Sequence, residues 1–365
     1  MLPLLTNTVT FPSCHCKVGR YGYKCSLIAS HDESITVMRP QTESRFMKKF
    51  RGSYTVAVTP FSTDGATVDV GALRSFLDWQ IDCGVPGIIM LGTTGEFLTI
   101  SREERRTIVE ETVKHVDGRM DVLVGTMDAY TPNAVAHSAE AQALGADGLM
   151  IIPPYYYTPT DDEIFAYYRA ICEAVTVPIM VYNNPVTSNR DMSAALIARL
   201  TTAFEQVRYI KEASMDVARV YDIVEETGGV MNVFAGERPV ESFLLGAVGY
   251  VNPYGNYLPY STTRMWELLE EGRVRDAAAI QHLVHRADRI IAEGHPTYGH
   301  QCYSKALAAA VGHPVGDVRQ PLTTFASLGD EGKQKLAAIL AIFEEIDALM
   351  KDIDARKTDT VGTAA

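Results

Sequence analysis

The sequence predicts a (β/α)8 barrel with a C-terminal helical extension. From Tyr54 onward, a short apolar run, a turn and an amphipathic helix recur with a period of roughly 20 to 35 residues. Eight such runs follow one another, and each is continuously apolar rather than alternating, as strands buried on both faces of a parallel sheet are. Right-handed crossovers between parallel strands close into a barrel when the count reaches eight; a doubly wound open sheet is the alternative arrangement of the same units.

Residues 1–46 precede the first run and read as a disordered extension: Ser, Thr, Pro and charges are scattered without a sustained apolar period, and no apolar stretch matches a secretory signal. Asp32, Glu33 and Glu43 count against a transit peptide, and Met47 opens a sequence resembling a natural domain start. The barrel is expected over 47–272. Its strands begin near Tyr54, Gly87, Asp121, Gly148, Pro178, Val207, Met231 and Gly249. Leu73, Phe76, Leu77 and Ile81 share one face of the first helix. Ser101 with Glu104 and Thr160 with Glu163 fit capping boxes, Thr131 precedes Pro132 as a cap, and Gly118 and Gly145 stand where left-handed helix stops belong. After the eighth unit, helical spacing over about 274–292, 300–311 and 330–353 predicts helices packed on the barrel, with residues 354–365 frayed.

Composition bounds the function. The 365 residues carry a net charge of -12, which disfavours nucleic acid and anionic membrane as partners, and no apolar run is long enough to span a bilayer. Six cysteines without paired C-x-x-C spacing indicate neither a disulfide framework nor a zinc ribbon; reduced thiols in a cytoplasmic protein are the simplest reading. Cys14-His15-Cys16 with Cys25, and His295, His300 and Cys302, match no standard metal-ligand set.

Barrel enzymes place their chemistry where the strands end. Those ends hold Gly92-Thr93-Thr94-Gly95-Glu96, Tyr155-Tyr156-Tyr157, Tyr182-Asn183-Asn184-Pro185, Lys211 and Gly236-Glu237-Arg238. Paired carboxylates for hydrolysis and a histidine-carboxylate metal cage are both missing from this set. It offers instead an amine, several phenols and two hydroxyls beside glycines. Lys211 ends an otherwise apolar strand, where lost hydration disfavours the ammonium and frees an amine for attack on a carbonyl. An ordinary strand-end lysine reaching out to water is the alternative. Thr93 and Thr94 can present hydroxyls and backbone N–H groups to a carboxylate, and Tyr182, one strand away from Lys211, can carry protons to and from a carbinolamine.

The motifs GTTGEF, PPYYYTP, YNNP and IKEAS, in this order and spacing, resemble those of the dihydrodipicolinate synthase and N-acetylneuraminate lyase family of class I pyruvate-type aldolases. The resemblance runs from about Met47 to about Met350 and includes VRQPLTTF. It implies that Lys211 forms an imine with a 2-oxo acid and that Tyr182 shuttles protons. Thr93 would link Tyr182 to a tyrosine given by a neighbouring subunit, and its place in PYYY points to Tyr156. Thr94 and the Thr93 backbone would hold the substrate carboxylate, with Gly236 and Val251 lining the imine through backbone carbonyls. A homo-oligomer, dimer or tetramer, follows from a shared tyrosine; no cofactor and no metal is implied.

The chain departs from the pattern at the substrate tail. Dihydrodipicolinate synthases have an arginine two residues after the YN-x-P motif, where this chain has Thr187; Arg190 lies three residues farther on. Neuraminate lyases have a threonine two residues after the lysine and acidic readers after the strand-seven glycine, where this chain has Ala213 and Glu237-Arg238. Strand eight ends in Tyr250-Val251-Asn252-Pro253-Tyr254 where the family has small residues, so Glu237, Arg238 and Asn252 are the candidate tail readers. The expectation is a lyase acting on a 2-keto-3-deoxy sugar acid or similar 2-oxo acid, by aldol cleavage or condensation or by dehydration. A 4-hydroxy-tetrahydrodipicolinate synthase that binds its carboxylate differently is one alternative. The other is a barrel that binds a 2-oxo acid without catalysis, which has no need of a nucleophile and its proton relay.

Overall fold

A computed structural model of the protein describes residues 49–293 and 300–361, and upstream of them a two-residue antiparallel pair, Val18–Gly19 with Gly22–Tyr23. Most of the expected extension, with Cys14, His15, Cys16 and Cys25, lies outside the described residues, as does His295.

Eight parallel strands close into a barrel: β1 (Gly52–Val56), β2 (Gly87–Met90), β3 (Asp121–Gly125), β4 (Gly148–Ile151), β5 (Ile179–Asn183), β6 (Val207–Glu212), β7 (Asn232–Ala235) and β8 (Gly249–Asn252), with β8 paired to both β7 and β1. The N-terminal end of the barrel interior is plugged by aromatic rings. Phe50 lies against Tyr209 with centroids 4.9 Å apart, and Tyr54 against Phe234 at 5.3 Å. Glycines make room for them: a Cβ on Gly249 would come within 2.1 Å of the Phe234 ring. A plugged bottom leaves the C-terminal mouth as the open end.

The helices follow their sequence signals with two differences. In α1 (Val70–Asp82) the buried face is Leu73, Phe76, Leu77 and Gln80, whereas Ile81 is only half-buried. Gln80 is tolerated inside because its amide accepts from Thr55 Oγ1 at 2.8 Å and donates to the Gly255 carbonyl at 2.9 Å. In α3 (Thr131–Ala143) the cap is Tyr130, so Thr131 is the first helical residue and Pro132 still falls in the first turn. Both capping boxes are present, at the starts of α2 (Arg102–Val116) and α4 (Asp161–Cys172). Gly118 and Gly145 have φ of +74° and +95° at the helix ends expected of them.

A single turn α5 (Pro185–Ser188) precedes α6 (Ala194–Ala203), and α7 (Ala218–Glu226), α8 (Pro239–Leu244) and α9 (Pro259–Glu270) complete the ring. Beyond it, α10 (Val274–Ala292) packs on α9 and on α12 (Gly329–Val361), while α11 (His300–Ala310) returns to the barrel mouth. The last helix runs through Val361, and residues 362–365 lie outside the described residues. The extension grips the mouth through a buried ion pair: Lys305 Nζ lies 2.7 Å from Glu96 Oε1, both side chains at most 1% exposed. Lys305 also donates to the Asp317 carbonyl, and the backbone N–H of Arg319 donates to Glu96 Oε2 at 2.9 Å. Among the described residues no helix is long and apolar enough to cross a membrane.

Candidate active site

Strand alternation sorts the two motifs at the ends of β5 and β6. Tyr182 pairs with Lys211 and Asn183 with Glu212, so one pair points into the barrel and the other outward. The outward pair is structural. Asn183 Nδ2 donates to Glu212 Oε2 at 3.0 Å and to Asp191 at 2.9 Å, while Glu212 accepts from the Ser214 N–H at 2.8 Å. This bracing fixes the backbone from which the inward pair projects. Lys211, 7% exposed, holds its Nζ 4.4 Å from the centre of the Tyr182 ring, and the Tyr182 hydroxyl accepts from Asn184 Nδ2 at 2.8 Å.

Lys211 and Tyr182 line a cavity of about 380 Å3 together with Thr93, Thr94, Gly236 and Glu237. The turn that carries Thr93 and Thr94 is tight, with left-handed φ of +58° at Leu91 and +56° at Glu96. It is held from below by Thr59 Oγ1, which donates to the Gly95 carbonyl at 2.7 Å, and from above by α11, where Gln301 Nε2 donates to the Thr93 carbonyl at 3.3 Å. Gly236 is required where it stands, since a Cβ there would meet the Ala213 Cβ at 2.5 Å and the Glu212 carbonyl at 2.7 Å.

Asn184, His300, Asp288 and Tyr254 also line the cavity, without having been assigned a role in the site from the sequence. Asn184 contacts the Tyr182 hydroxyl as described, and His300, at the start of α11, sets its Nε2 3.2 Å from Thr94 Oγ1. Burial and the nearby Lys211 charge push the His300 imidazole down to about 4, so it is neutral near pH 7. Asp288 on α10 and Tyr254 after β8 complete the far wall. Burial raises the Asp288 pKa, and hydrogen bonding from the nearby Tyr254 hydroxyl opposes the rise. Glu237 is pushed up to about 7, first by burial and then by the charge of Asp288, against the pull of Lys211 and Arg238. A sequence signal for Asp288 exists: it falls on the α10 face that buries Val284, Ala287 and Ile291.

Other expected positions fall elsewhere. Arg238 lines a neighbouring chamber instead, with its guanidinium 3.8 Å from Glu241, because a left-handed residue at φ +46° turns the chain into α8. Asn252 is fully buried as a brace between strands, donating to Ser53 Oγ at 3.0 Å and accepting from the Gly255 N–H at 2.8 Å, and it does not line the cavity. Val251 is likewise buried outside the lining. Tyr156 is 82% exposed, at φ +80°, away from the cavity of its own chain. Arg190 is paired with Asp161 and does not line the cavity. Among the described residues of the lining, Lys211 is the one lysine or arginine.

An inward lysine and tyrosine on adjacent strands, facing a hydroxyl-bearing turn at the mouth of a (β/α)8 barrel, define the class: a lyase of the class I aldolase type. The chain belongs to the dihydrodipicolinate synthetase family, whose model matches residues 49–342. A 4-hydroxy-tetrahydrodipicolinate synthase of Pelobacter propionicus is 32% identical over 80% of this chain and 98% of its own length. The 4-hydroxy-tetrahydrodipicolinate synthase structure from Methylacidiphilum fumariolicum SolV superposes with a TM-score of 0.76 at 28% identity, covering 82% of this chain and 99% of that one. A prophage protein of the dihydrodipicolinic acid synthase family from E. coli K12, solved in complex with pyruvate, gives 0.75 at 26% identity, over 80% and 98% of the two chains.

Proposed function

We propose that the protein is a Schiff-base lyase acting on a 2-oxo acid with a hydroxylated tail, such as a 2-keto-3-deoxy sugar acid. The observation that carries this reading is the make-up of the cavity among the described residues: one lysine, Lys211, two carboxyl groups, and no guanidinium for a second substrate carboxylate. In this reading the substrate carboxylate lies on Thr94 and the Thr93 backbone. The Lys211 amine adds to the C2 carbonyl, and Tyr182 delivers the proton with which the carbinolamine oxygen leaves as water. Thr93 relays protons between Tyr182 and the partner subunit's Tyr156, whose exposure in a single chain suits such a donation.

The imine withdraws electrons from C3. In the cleavage direction the C4 hydroxyl gives its proton to the Tyr182 oxygen, the C3–C4 bond breaks, and its electron pair becomes the enamine; an aldehyde is released. Protonation of the enamine at C3 and hydrolysis of the imine return the shorter 2-oxo acid and Lys211. Condensation is the reverse. In dehydration, C3 loses a proton and the C4 hydroxyl leaves as water.

The names of the relatives favour a second reading, a 4-hydroxy-tetrahydrodipicolinate synthase joining pyruvate to aspartate semialdehyde. Turnover separates the two: purified protein is assayed with a panel of 2-keto-3-deoxy sugar acids and, separately, with pyruvate plus aspartate semialdehyde. The proposal expects activity in the first panel; activity confined to the second mixture refutes it.

A further inference from the structure

We infer that Asp288 and Glu237, braced by Tyr254, form a hydroxyl-reading acid pair that selects an uncharged polyol tail on the substrate. The inference rests on the lyase reading above and goes further by assigning tail specificity to a helix outside the barrel ring. Its basis is geometric: residues from three separate elements converge on one wall of the cavity that holds Lys211. Glu237 follows β7, Tyr254 follows β8, and Asp288 comes from α10. The buried Tyr254 hydroxyl lies close enough to Asp288 to lower its pKa as a hydrogen-bond partner, and a carboxylate keeps acceptor capacity beyond one such bond.

The charge state of the wall decides what it accepts. Two carboxyl groups in one partly desolvated space resist double ionisation, so the pair tends to keep one proton near neutrality. Glu237, raised to about 7, is the member that holds it, while the Tyr254 bond favours ionised Asp288. A wall that can both donate and accept matches the hydroxyls of a diol, each of which also does both. A second substrate carboxylate would add like charge with no arginine or second lysine among the described residues of the lining to receive it. Glu237 and Asp288 are shared with an adjoining chamber whose own lining includes Arg238 and Arg289, so the selection applies to a tail that ends within the Lys211 cavity.

The test runs in the condensation direction, with pyruvate as donor and three aldehydes as acceptors: glyceraldehyde, succinic semialdehyde and butanal. The expected wild-type kcat/KM is at least about tenfold higher for glyceraldehyde than for either other aldehyde, as hydrogen bonds to an ionised group imply. Asp288→Ala is expected to reduce the glyceraldehyde-to-butanal ratio by about ten- to hundredfold. Tyr254→Phe reduces the ratio less, and the double variant is no worse than Asp288→Ala alone, since Tyr254 acts through Asp288. Borohydride labelling by pyruvate reports independently on imine formation. If the wild type takes no label, the lyase reading itself fails. If it labels but prefers succinic semialdehyde, or shows no preference among the three, the acid pair fails and the lyase reading stands. That wild-type comparison decides the matter even if the variants do not fold, and an unchanged ratio in folded Asp288→Ala also overturns the pair.

Discussion

Replacing Lys305 with methionine isolates the contribution of the C-terminal extension to the mouth of the barrel. The ammonium sits 2.7 Å from Glu96 Oε1, 2.9 Å from the Asp317 carbonyl and 4.0 Å from the centre of the Phe61 ring. Methionine fills much of the same volume but leaves Glu96 buried, with the Arg319 N–H as its remaining hydrogen bond at 2.9 Å. Breaking a buried pair from one side costs about 3–5 kcal/mol, because the surviving charge is uncompensated. Replacing both members is far less costly, since no charge remains inside. Lys305→Met should therefore lower stability by about 3–5 kcal/mol, and Lys305→Met with Glu96→Gln should recover most of that loss. Urea unfolding at fixed protein concentration measures both. A loss below about 1 kcal/mol in the single variant, or a double variant as unstable as the single, would show that the pair does not hold the extension to the mouth. Because Glu96 ends the turn that carries Thr93 and Thr94, the single variant should also raise the KM for the 2-oxo acid.

Three further outcomes follow from the site. Tyr182→Phe removes the hydroxyl proposed to carry protons while keeping the ring under Lys211, so kcat should fall by about 10²–10⁴ in steady-state assays; an unchanged kcat would remove Tyr182 from the mechanism. His300→Ala takes away the neutral partner of Thr94 Oγ1, a loss of about 1 kcal/mol that should appear as a roughly fivefold higher KM for the 2-oxo acid with a smaller change in kcat. Glu237 binds its proton more tightly folded than unfolded, so its contribution to stability is full below about 4.5 and is lost as pH rises to about 7. The loss is at most about 1.4 kcal/mol per pH unit in that window. Thermal unfolding of Glu237→Gln across the same window should show a flatter decline than the wild type, and equal slopes would contradict the assignment.

The barrel is legible in the sequence because parallel strands buried on both faces leave continuous apolar runs, as in Ile88-Ile89-Met90 and Leu149-Met150-Ile151. Lys211 and Tyr182 are legible for a related reason: a polar side chain ending such a run projects into the mouth, and neighbouring strands bring the two together. The same reasoning misplaces Asn252, since a polar residue at a strand end can equally brace the next strand, as its bond to Ser53 shows. Arg238 escapes because one left-handed residue redirects the chain in a way that residue type does not announce. Asp288 and His300 belong to helices that reach the site only through tertiary packing. Spacing along α10 shows that Asp288 shares a buried face but not what that face meets, and His300 lies 206 residues from the Thr94 it touches.

The central claim is that the Lys211 amine forms an imine with a 2-oxo acid. Its most direct test is borohydride reduction of the protein in the presence of pyruvate and related 2-oxo acids, followed by digestion and mass mapping of the adduct. A reduced adduct is expected on Lys211, dependent on both borohydride and the oxo acid and abolished in Lys211→Arg. An adduct on a different lysine, or no adduct with any acid of a broad panel, would contradict it.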